Sequence, residues 1–466
     1  MSTTAVPGAR HAALGSAPTL PDTHPMAPAA PTAAPTDATA PARARARKGA
    51  IRPPFVPPAP PLRSIGELAD WLRRDGAPAV TVLADPAVAG QSVTTLVCAQ
   101  VRAAGLDPRL VTLDPAGGVR ATTELAALLA PGELVIGIGG GTTLDFAKLA
   151  ALTAARPELP KYLNSPQRSG FLVLPPALGT SVRVLAVPTT LGTGSELGTV
   201  ACFAKDGAKL LATGACLRPV AALWTAEATA TLPPELIADG VLEALFRTVS
   251  PYAGDHTDLP EQDAQVEELT ARLLAAGYHV AAHRAHGTPV PAELRLRIAE
   301  MSGESQIGLL NIGRSPYAVK CWAIANELST TLNLAKMRTV SALWPVLWRR
   351  TLAGDTRLGS PDRIRRLWST LRNHAPWLDE DPADGLLALM RHWHIDRTVT
   401  ATGTEIARAT TRTMRAWGAG LPILDELSAA DVRALLTEAT DQAARGAAPG
   451  ARGRQDHHGA QSPARP

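Results

Sequence analysis

Three consecutive glycines, Gly139, Gly140 and Gly141, precede Thr142 and stand between a predicted strand, residues 133–138, and a predicted helix. Glycines let backbone N–H groups approach a ligand because no Cβ stands in the way. The following helix offers further unpaired N–H groups and the positive end of its dipole, which suits the pyrophosphate of a dinucleotide. A tight structural turn is the alternative interpretation, and the strand–loop–helix context favours phosphate binding.

The start of that helix carries further candidate cofactor-binding residues. Asp145 follows Thr142 at the spacing of a capping box, so we expect Thr142 to cap the helix. Lys148 ends the motif. We predict that Asp145 and Lys148 both belong to the cofactor site.

A second polar run, residues 187–196, follows the apolar segment 182–187. It contains Thr189, Thr190 and two further glycines that alternate with hydroxyl side chains. Hydroxyls and glycines at this density could contact a nucleotide, and the alternative interpretation is an irregular polar loop.

The elements that must position these loops alternate between strand and helix. Apolar strand patterns occur at residues 80–84, 109–113 and 133–138, with helical patterns at 66–74 and 92–104. Strands that alternate with helices predict a parallel α/β sheet. Beyond Leu232 long helical patterns dominate. The sequence therefore predicts an α/β N-terminal dinucleotide-binding domain followed by an all-α C-terminal domain.

Four segments follow from this pattern. Residues 1–61 are rich in Ala and Pro and are expected to form a disordered leader, because such a segment buries too little surface to offset its ordering entropy. Residues 62–231 are expected to form the α/β domain and residues 232–444 the helical domain. Residues 445–466 resemble the leader in composition and are expected to form a disordered tail.

Composition and charge exclude several classes of protein. The chain of 466 residues is 45% hydrophobic with a net charge of +4. Residues 1–60 carry six basic and two acidic residues and residues 445–466 carry four and one, so the body between them is acidic and does not indicate nucleic-acid binding. No apolar run is long enough to span a membrane. Four scattered cysteines and the lack of an apolar signal segment predict a reducing, cytoplasmic location.

Together the two loops carry a family resemblance. The pattern GGG-T-x-x-D-x-A-K at 139–148, followed by PTT-x-GTGSE at 188–196, resembles the iron-containing alcohol dehydrogenases, of the dehydroquinate-synthase-like superfamily. The resemblance covers about residues 62–440. It implies an active site in the cleft between the two domains, and by analogy a homodimer.

The resemblance also assigns cofactor residues. The glycine loop with Thr142 would hold the pyrophosphate, and Thr189 and Thr190 would line the nucleotide site. Lys209 would reach the ribose side. Asp85, at the end of the first strand, would lie near the adenosine ribose, where a carboxylate repels a 2′-phosphate. We therefore expect NAD rather than NADP.

The family's metal site is the part that this sequence does not keep. Family members bind a divalent metal through an Asp and three His, and these positions fall on Glu243, Arg247, Trp322 and Lys336. A further family His, not a ligand, falls on Asn326. Arg and Lys offer no lone pair at neutral pH. We therefore predict no catalytic metal there.

Other histidines offer an alternative ligand set. His279, His283 and His286 share one helical face. A surface helix remains the ordinary interpretation of that spacing.

The replacements suggest a mechanism. Arg247 and Lys336 would place two fixed cations where a developing alkoxide or a substrate carboxylate could bind. Glu243 would orient these cations or act as a base. Asn326 is predicted to lie in the same site. The predicted activity is oxidation of a secondary alcohol or reduction of a ketone. A hydroxy acid, or the C-terminal Thr of a ribosomal peptide, as in the daptide-type dehydrogenases, is the suggested substrate, oxidised with decarboxylation. Two alternatives stay open: a sugar-phosphate cyclase-like lyase, and a non-catalytic NAD-binding scaffold with a decayed site.

Overall fold

A computed structural model describes residues 57–112, 118–179, 181–418 and 421–446 of the chain. Most of the predicted leader and tail, and the predicted strand residue Leu113, lie outside these described residues. Within them no helix is long and apolar enough to cross a membrane.

Eight strands and five helices form the N-terminal half of the described chain. The strands are β1 (Val80–Ala84), β2 (Pro108–Thr112), β3 (Leu134–Gly139), β4 (Phe171–Val173), β5 (Val182–Pro188), β6 (Val200–Lys205), β7 (Ala208–Thr213) and β8 (Pro219–Ala222). The helices are α1 (Leu68–Asp75), α2 (Ser92–Ala103), α3 (Gly118–Ala126), α4 (Gly141–Ala155) and α5 (Leu159–Asn164). The bounds of the predicted strands at 80–84, 133–138 and 182–187 differ from these by at most one residue.

The main sheet is parallel, with strand order β2-β1-β3-β5-β8. Every residue of β1 and β3 is buried, as expected for strands covered by helices on both faces. Successive residues of β1, such as Val82 and Leu83, enter two separate apolar layers on the two sides of the sheet. This is the doubly wound architecture that the strand–helix alternation predicts.

The strand order reverses between β1 and β3, because the chain adds β2 on one side of β1 and β3 on the other. In open parallel sheets ligands bind at such a switch point, outside the carboxyl ends of the strands. Asp85 follows β1 and Gly140 follows β3, so the topology places both beside this crevice.

A second, three-stranded sheet has the order β4-β7-β6 and was not predicted. Its central strand pairs with β6 as an antiparallel hairpin and with β4 in parallel. Ala201, Phe203 and Ala212 pack one face into the core of the α/β domain. The opposite face of the hairpin carries Cys202 and Lys209, both exposed.

Nine helices form the C-terminal half of the described chain: α6 (Pro234–Gly254), α7 (Pro260–Ala285), α8 (Ala292–Ile307), α9 (Lys320–Leu332), α10 (Lys336–Leu352), α11 (Pro361–His374), α12 (Pro382–His392), α13 (Gly403–Thr413) and α14 (Ala429–Gly446). They share one apolar core, which also takes in Leu191, Leu197 and Trp224 from the first half. The two halves therefore pack directly against each other through the segments that follow β5 and β8.

Candidate active site

The glycine loop forms the N-terminus of α4. The helix begins at Gly141, with Gly140 in extended conformation as its N-cap and no side chain capping the first turn. The prediction that Thr142 caps this helix was wrong, because the helix starts earlier and places Thr142 inside its first turn. Asp145 consequently takes no part in a capping box. The N–H groups of the first turn stay available for an anion.

Side chains press closely on these glycines. A Cβ built on Gly139 would lie 2.6 Å from Thr143 Cβ, one on Gly140 would lie 3.2 Å from Thr190 Cγ2, and one on Gly141 would lie 3.0 Å from Thr193 Cγ2. The hydroxyls of Thr190 and Thr193 are buried and find no hydrogen-bond partner among the described residues. A cradle without Cβ atoms and two unsatisfied hydroxyls fit the phosphate groups of a dinucleotide.

Asp85 lies directly beside this loop. Its Oδ2 accepts a hydrogen bond from Thr143 Oγ1 at 2.9 Å, and its Oδ1 accepts one from the backbone N–H of Ala87 at 3.0 Å. The half-buried carboxylate keeps lone pairs that these two donors do not use. Thr189 joins the same site through its backbone, since its N–H donates to Gly139 O at 3.0 Å.

Asp145 and Lys148 lie behind the loop rather than at its open side. Lys148 is fully buried, and its Nζ donates to the carbonyls of Ser195 and Val200 at 2.9 and 2.7 Å. Asp145 accepts bonds from Ser195 Oγ at 2.5 Å and from the Cys202 N–H at 2.9 Å. The pair therefore fastens β6 and the segment between β5 and β6, the 188–199 loop, to α4. The role of the pair toward a cofactor stays a prediction.

Glu243, on α6, is the centre of a charged cluster in the helical half. Its Oε1 accepts a hydrogen bond from Lys336 Nζ, at the start of α10, and lies 3.7 Å from Arg247 Nη2. Burial alone would raise the pKa of Glu243, but the attraction of Lys336 and Arg247 outweighs it and lowers that pKa. Lys209 contributes in the same direction, which brings the exposed face of the hairpin within electrostatic reach of the cluster.

Arg247 reaches beyond this cluster. Its Nη1 donates to Ser305 Oγ on α8 at 2.9 Å, and its Nη2 donates to the carbonyl oxygen of Gly192. The arginine therefore connects the helical half with the loop that follows β5. Spacing along the chain does not indicate either of these partners.

Asn326 belongs to a different cluster. Its Nδ2 donates to Glu327 Oε1 at 3.1 Å, and the same buried carboxylate accepts bonds from Trp417 Nε1 and Arg412 Nε, each at 3.1 Å. Trp322 packs edge-on against Trp417, with ring centroids 5.1 Å apart. The hydrogen bonds of the described residues do not link Asn326 to Glu243. No motif in the sequence singles out Glu327 or Arg412.

The residues that the resemblance assigns to the family's metal positions do not form a metal donor set. Glu243 supplies carboxylate oxygens, but its neighbours Arg247 and Lys336 are cations. Among the described residues no group of three or more His, Cys, Asp or Glu side chains could hold a metal ion. On α7, His283 Nδ1 contacts Thr288 Oγ1 at 2.9 Å, in line with an ordinary surface helix.

Comparisons with known proteins agree with the glycine loop and the parallel sheet described above. Residues 62–226 match the sequence model of the family "Iron-containing alcohol dehydrogenase". Long-chain-alcohol dehydrogenase 1 of Geobacillus thermodenitrificans is 25% identical over 69% of this chain and 78% of its own length. Phosphonoacetaldehyde reductase of Streptomyces viridochromogenes is 35% identical over 38% of this chain and 45% of its own length.

The fold is shared by solved structures. The NADH-dependent butanol dehydrogenase A of Thermotoga maritima superimposes with a TM-score of 0.69 at 17% identity, covering 83% of this chain and 98% of the other. The family match and the similarity to an alcohol dehydrogenase, together with this fold and its glycine loop, support an alcohol dehydrogenase-like oxidoreductase. The match to the iron-containing alcohol dehydrogenase family covers residues 62–226, and beyond it the chain shares the fold of the solved structure.

Proposed function

We propose that the protein moves a hydride between NAD and a secondary alcohol or ketone, with Lys336 and Glu243 in the place of the family's metal. The observation that carries the proposal is the bonded Lys336–Glu243 pair. The resemblance assigns both residues to the family's metal positions, in a chain that keeps the glycine loop and the 188–196 loop. The nicotinamide, when bound, accepts or supplies the hydride.

The proposed mechanism assigns different work to the two charged groups. Lys336 is one-third exposed and its ammonium has three N–H donors, of which Glu243 takes one. Another can donate to the reacting oxygen as negative charge develops on it, and a fixed cation stabilises that charge. Glu243 holds the amine in place. Its lowered pKa makes it a poor proton acceptor at neutral pH, so the hydroxyl proton leaves to solvent.

We propose NAD rather than NADP as the cofactor. Asp85 lies beside the glycine loop with a half-buried carboxylate, and its charge would repel a 2′-phosphate. The residues that would hold the cofactor are Asp85, Gly139, Gly140, Gly141, Thr142, Thr189, Thr190 and Lys209.

The substrate we propose is a β-hydroxy acid, with the C-terminal Thr of a peptide as the specific candidate. Lys336 and the exposed Lys209 supply positive charge from both halves of the molecule, which suits an anion beside the reacting carbon. A relative named for reduction of phosphonoacetaldehyde, an anionic aldehyde, supports this choice. Oxidation removes a hydride from the carbinol carbon and a proton from its hydroxyl, giving a β-keto acid. That acid then releases CO2 and takes up a proton in its place.

The first test measures cofactor and metal on one sample. Purified protein is titrated with NADH and with NADPH, and its zinc and iron content is assayed. We expect saturable binding with preference for NADH, and metal well below one equivalent. Stoichiometric metal would contradict the metal-free site, and no binding of either nucleotide would contradict the cofactor role of the glycine loop.

The second test concerns the substrate. A peptide ending in Thr is compared with its C-terminal amide in the presence of NAD. We expect NADH formation and CO2 release with the free acid and much slower NADH formation with the amide. Equal rates with both peptides would show that the carboxylate is not recognised.

A further inference from the structure

The guanidinium of Arg247 contacts three elements at once. It stands on α6, donates to Ser305 Oγ on α8 at 2.9 Å, and donates to Gly192 O in the loop after β5. Glu243 lies 3.7 Å away on its remaining side. The side chain is 20% exposed, so little of its donor surface is left for a ligand.

The loop that receives this bond packs closely against the helical half. Gly192 has φ of +96°, and a Cβ there would lie 2.3 Å from Gly240 O on α6. A Cβ on Gly194 would lie 2.8 Å from Gln306 Cβ on α8. Residues 191–194 are therefore held against both helices by close contacts, and the Arg247 bond is made at their centre.

The other side of the same loop faces the nucleotide site. Thr190 and Thr193, which flank Gly192, pack on Gly140 and Gly141. Any displacement of Gly192 must therefore move the two hydroxyls that line the glycine cradle.

We propose that Arg247 is a positioning residue, which holds the 188–199 loop between the glycine cradle and the Glu243–Lys336 pair and so connects cofactor binding with the reacting site. This inference rests on the proposed function for its effect on turnover, but its effect on nucleotide binding does not. It assigns Arg247 to the loop, in place of the contact with the reacting oxygen that the sequence suggests.

Electrostatics are compatible with this role. Burial lowers the pKa of Arg247, while Glu243 and Glu196 act in the opposite direction. Glu196 lies in the same loop and is itself buried, with one oxygen accepting from Trp224 Nε1 at 3.2 Å. Two carboxylates, one from each half of the molecule, therefore act electrostatically on the guanidinium.

The experiment compares Arg247→Ala with Lys336→Ala in the full-length protein. We expect Arg247→Ala to weaken NADH binding about tenfold or more, as a coupling between distinct sites does. Hydrogen exchange of amides 188–199 should accelerate in the same variant. Lys336→Ala should leave NADH affinity within about twofold of wild type, because it lies outside the loop contacts.

Two further variants separate positioning from general destabilisation. Ser305→Ala should weaken NADH binding in the same direction, and combining it with Arg247→Ala should add less than the sum of the two effects. Arg247→Lys should restore part of the affinity, since an ammonium can reach one of the two acceptors. Gly354→Ala introduces strain at φ +109° in the connection between α10 and α11, and should lower thermal stability without changing NADH affinity.

The inference is overturned if Arg247→Ala binds NADH as wild type does, with unchanged exchange of amides 188–199. Loss of turnover equal to that of Lys336→Ala would then assign Arg247 to the reacting oxygen. Absence of turnover in the wild-type protein would contradict the proposed function, while the affinity and exchange measurements would still decide the role of Arg247.

Discussion

At the scale of single residues, Lys336 is the cation of the charged cluster with most freedom to meet a substrate. It is one-third exposed and its ammonium bonds to Glu243, whereas Arg247 is held on three sides. We expect Lys336→Met to lower turnover by about 10²–10³-fold, the usual effect of removing a group that stabilises a developing oxyanion. Steady-state kinetics with saturating NAD measure the loss. Arg120→Ala, which removes an exposed cation on α3, is the control and should leave turnover unchanged.

The same pair predicts a pH dependence. Because the pKa of Glu243 is lowered in the folded protein, its contribution to stability is present above the pKa of the unfolded chain. That contribution is lost as pH falls through the folded pKa. In Lys336→Met burial meets less opposition, so the pKa of Glu243 should rise and the acid limb of the stability profile should move to higher pH. Urea unfolding at a series of pH values tests this, and an unmoved acid limb would contradict the pairing.

At the scale of elements, the Asp145–Lys148 pair fixes the 188–199 loop and β6 to α4. Lys148 is fully buried, so Lys148→Met leaves the Asp145 charge without its partner. We expect a loss of about 3 kcal/mol in the free energy of unfolding. The exposed pair of Arg120 and Glu124 gives the control, since Arg120→Ala should change stability by less than about 0.5 kcal/mol. Equal effects of the two substitutions in urea unfolding would refute the structural role.

The sequence predicts elements better than it predicts contacts between them. Strands β1, β3 and β5 are nearly continuous apolar runs, as is usual for strands covered by helices on both faces, so their positions can be recognised directly. The β6–β7 hairpin mixes small residues with lysines and carries no such signal.

The same distinction applies to the candidate site residues: contacts set by strand order can be predicted, and contacts between distant segments cannot. Asp85 and the glycine loop follow adjacent strands, so topology alone brings them together. Asp145 meets Ser195 across 50 residues, and Arg247 meets Gly192 across 55, so local spacing carries no information on either contact. Local spacing predicts a capping box between Thr142 and Asp145. In the structure Asp145 instead accepts a hydrogen bond from the distant Ser195.

At the scale of the whole molecule, the loop after β5 connects the nucleotide site with the helical core. Leu191 and Leu197 pack into that core, while Thr190 and Thr193 contact the glycine cradle. Seven of the nine tryptophans lie in the helical half: Trp322, Trp344, Trp348, Trp368, Trp377, Trp393 and Trp417. Tryptophan fluorescence therefore reports mainly the unfolding of the half that does not carry the glycine loop.

Because the glycine loop and most tryptophans lie in different halves, cofactor binding can test whether the two halves unfold together. If they unfold as one unit, NAD at a hundred times its Kd should stabilise the protein by about 2.7 kcal/mol and raise the tryptophan-detected Tm by about 3 °C. Gly140→Val, whose Cβ would already lie 3.2 Å from Thr190, should abolish the increase whatever its own Tm. A calorimetric transition that rises with NAD while the tryptophan transition stays constant would show that the halves unfold independently. The loop after β5 would then join them without transmitting the stabilisation, because ligand binding raises only the stability of the unit that unfolds with the site.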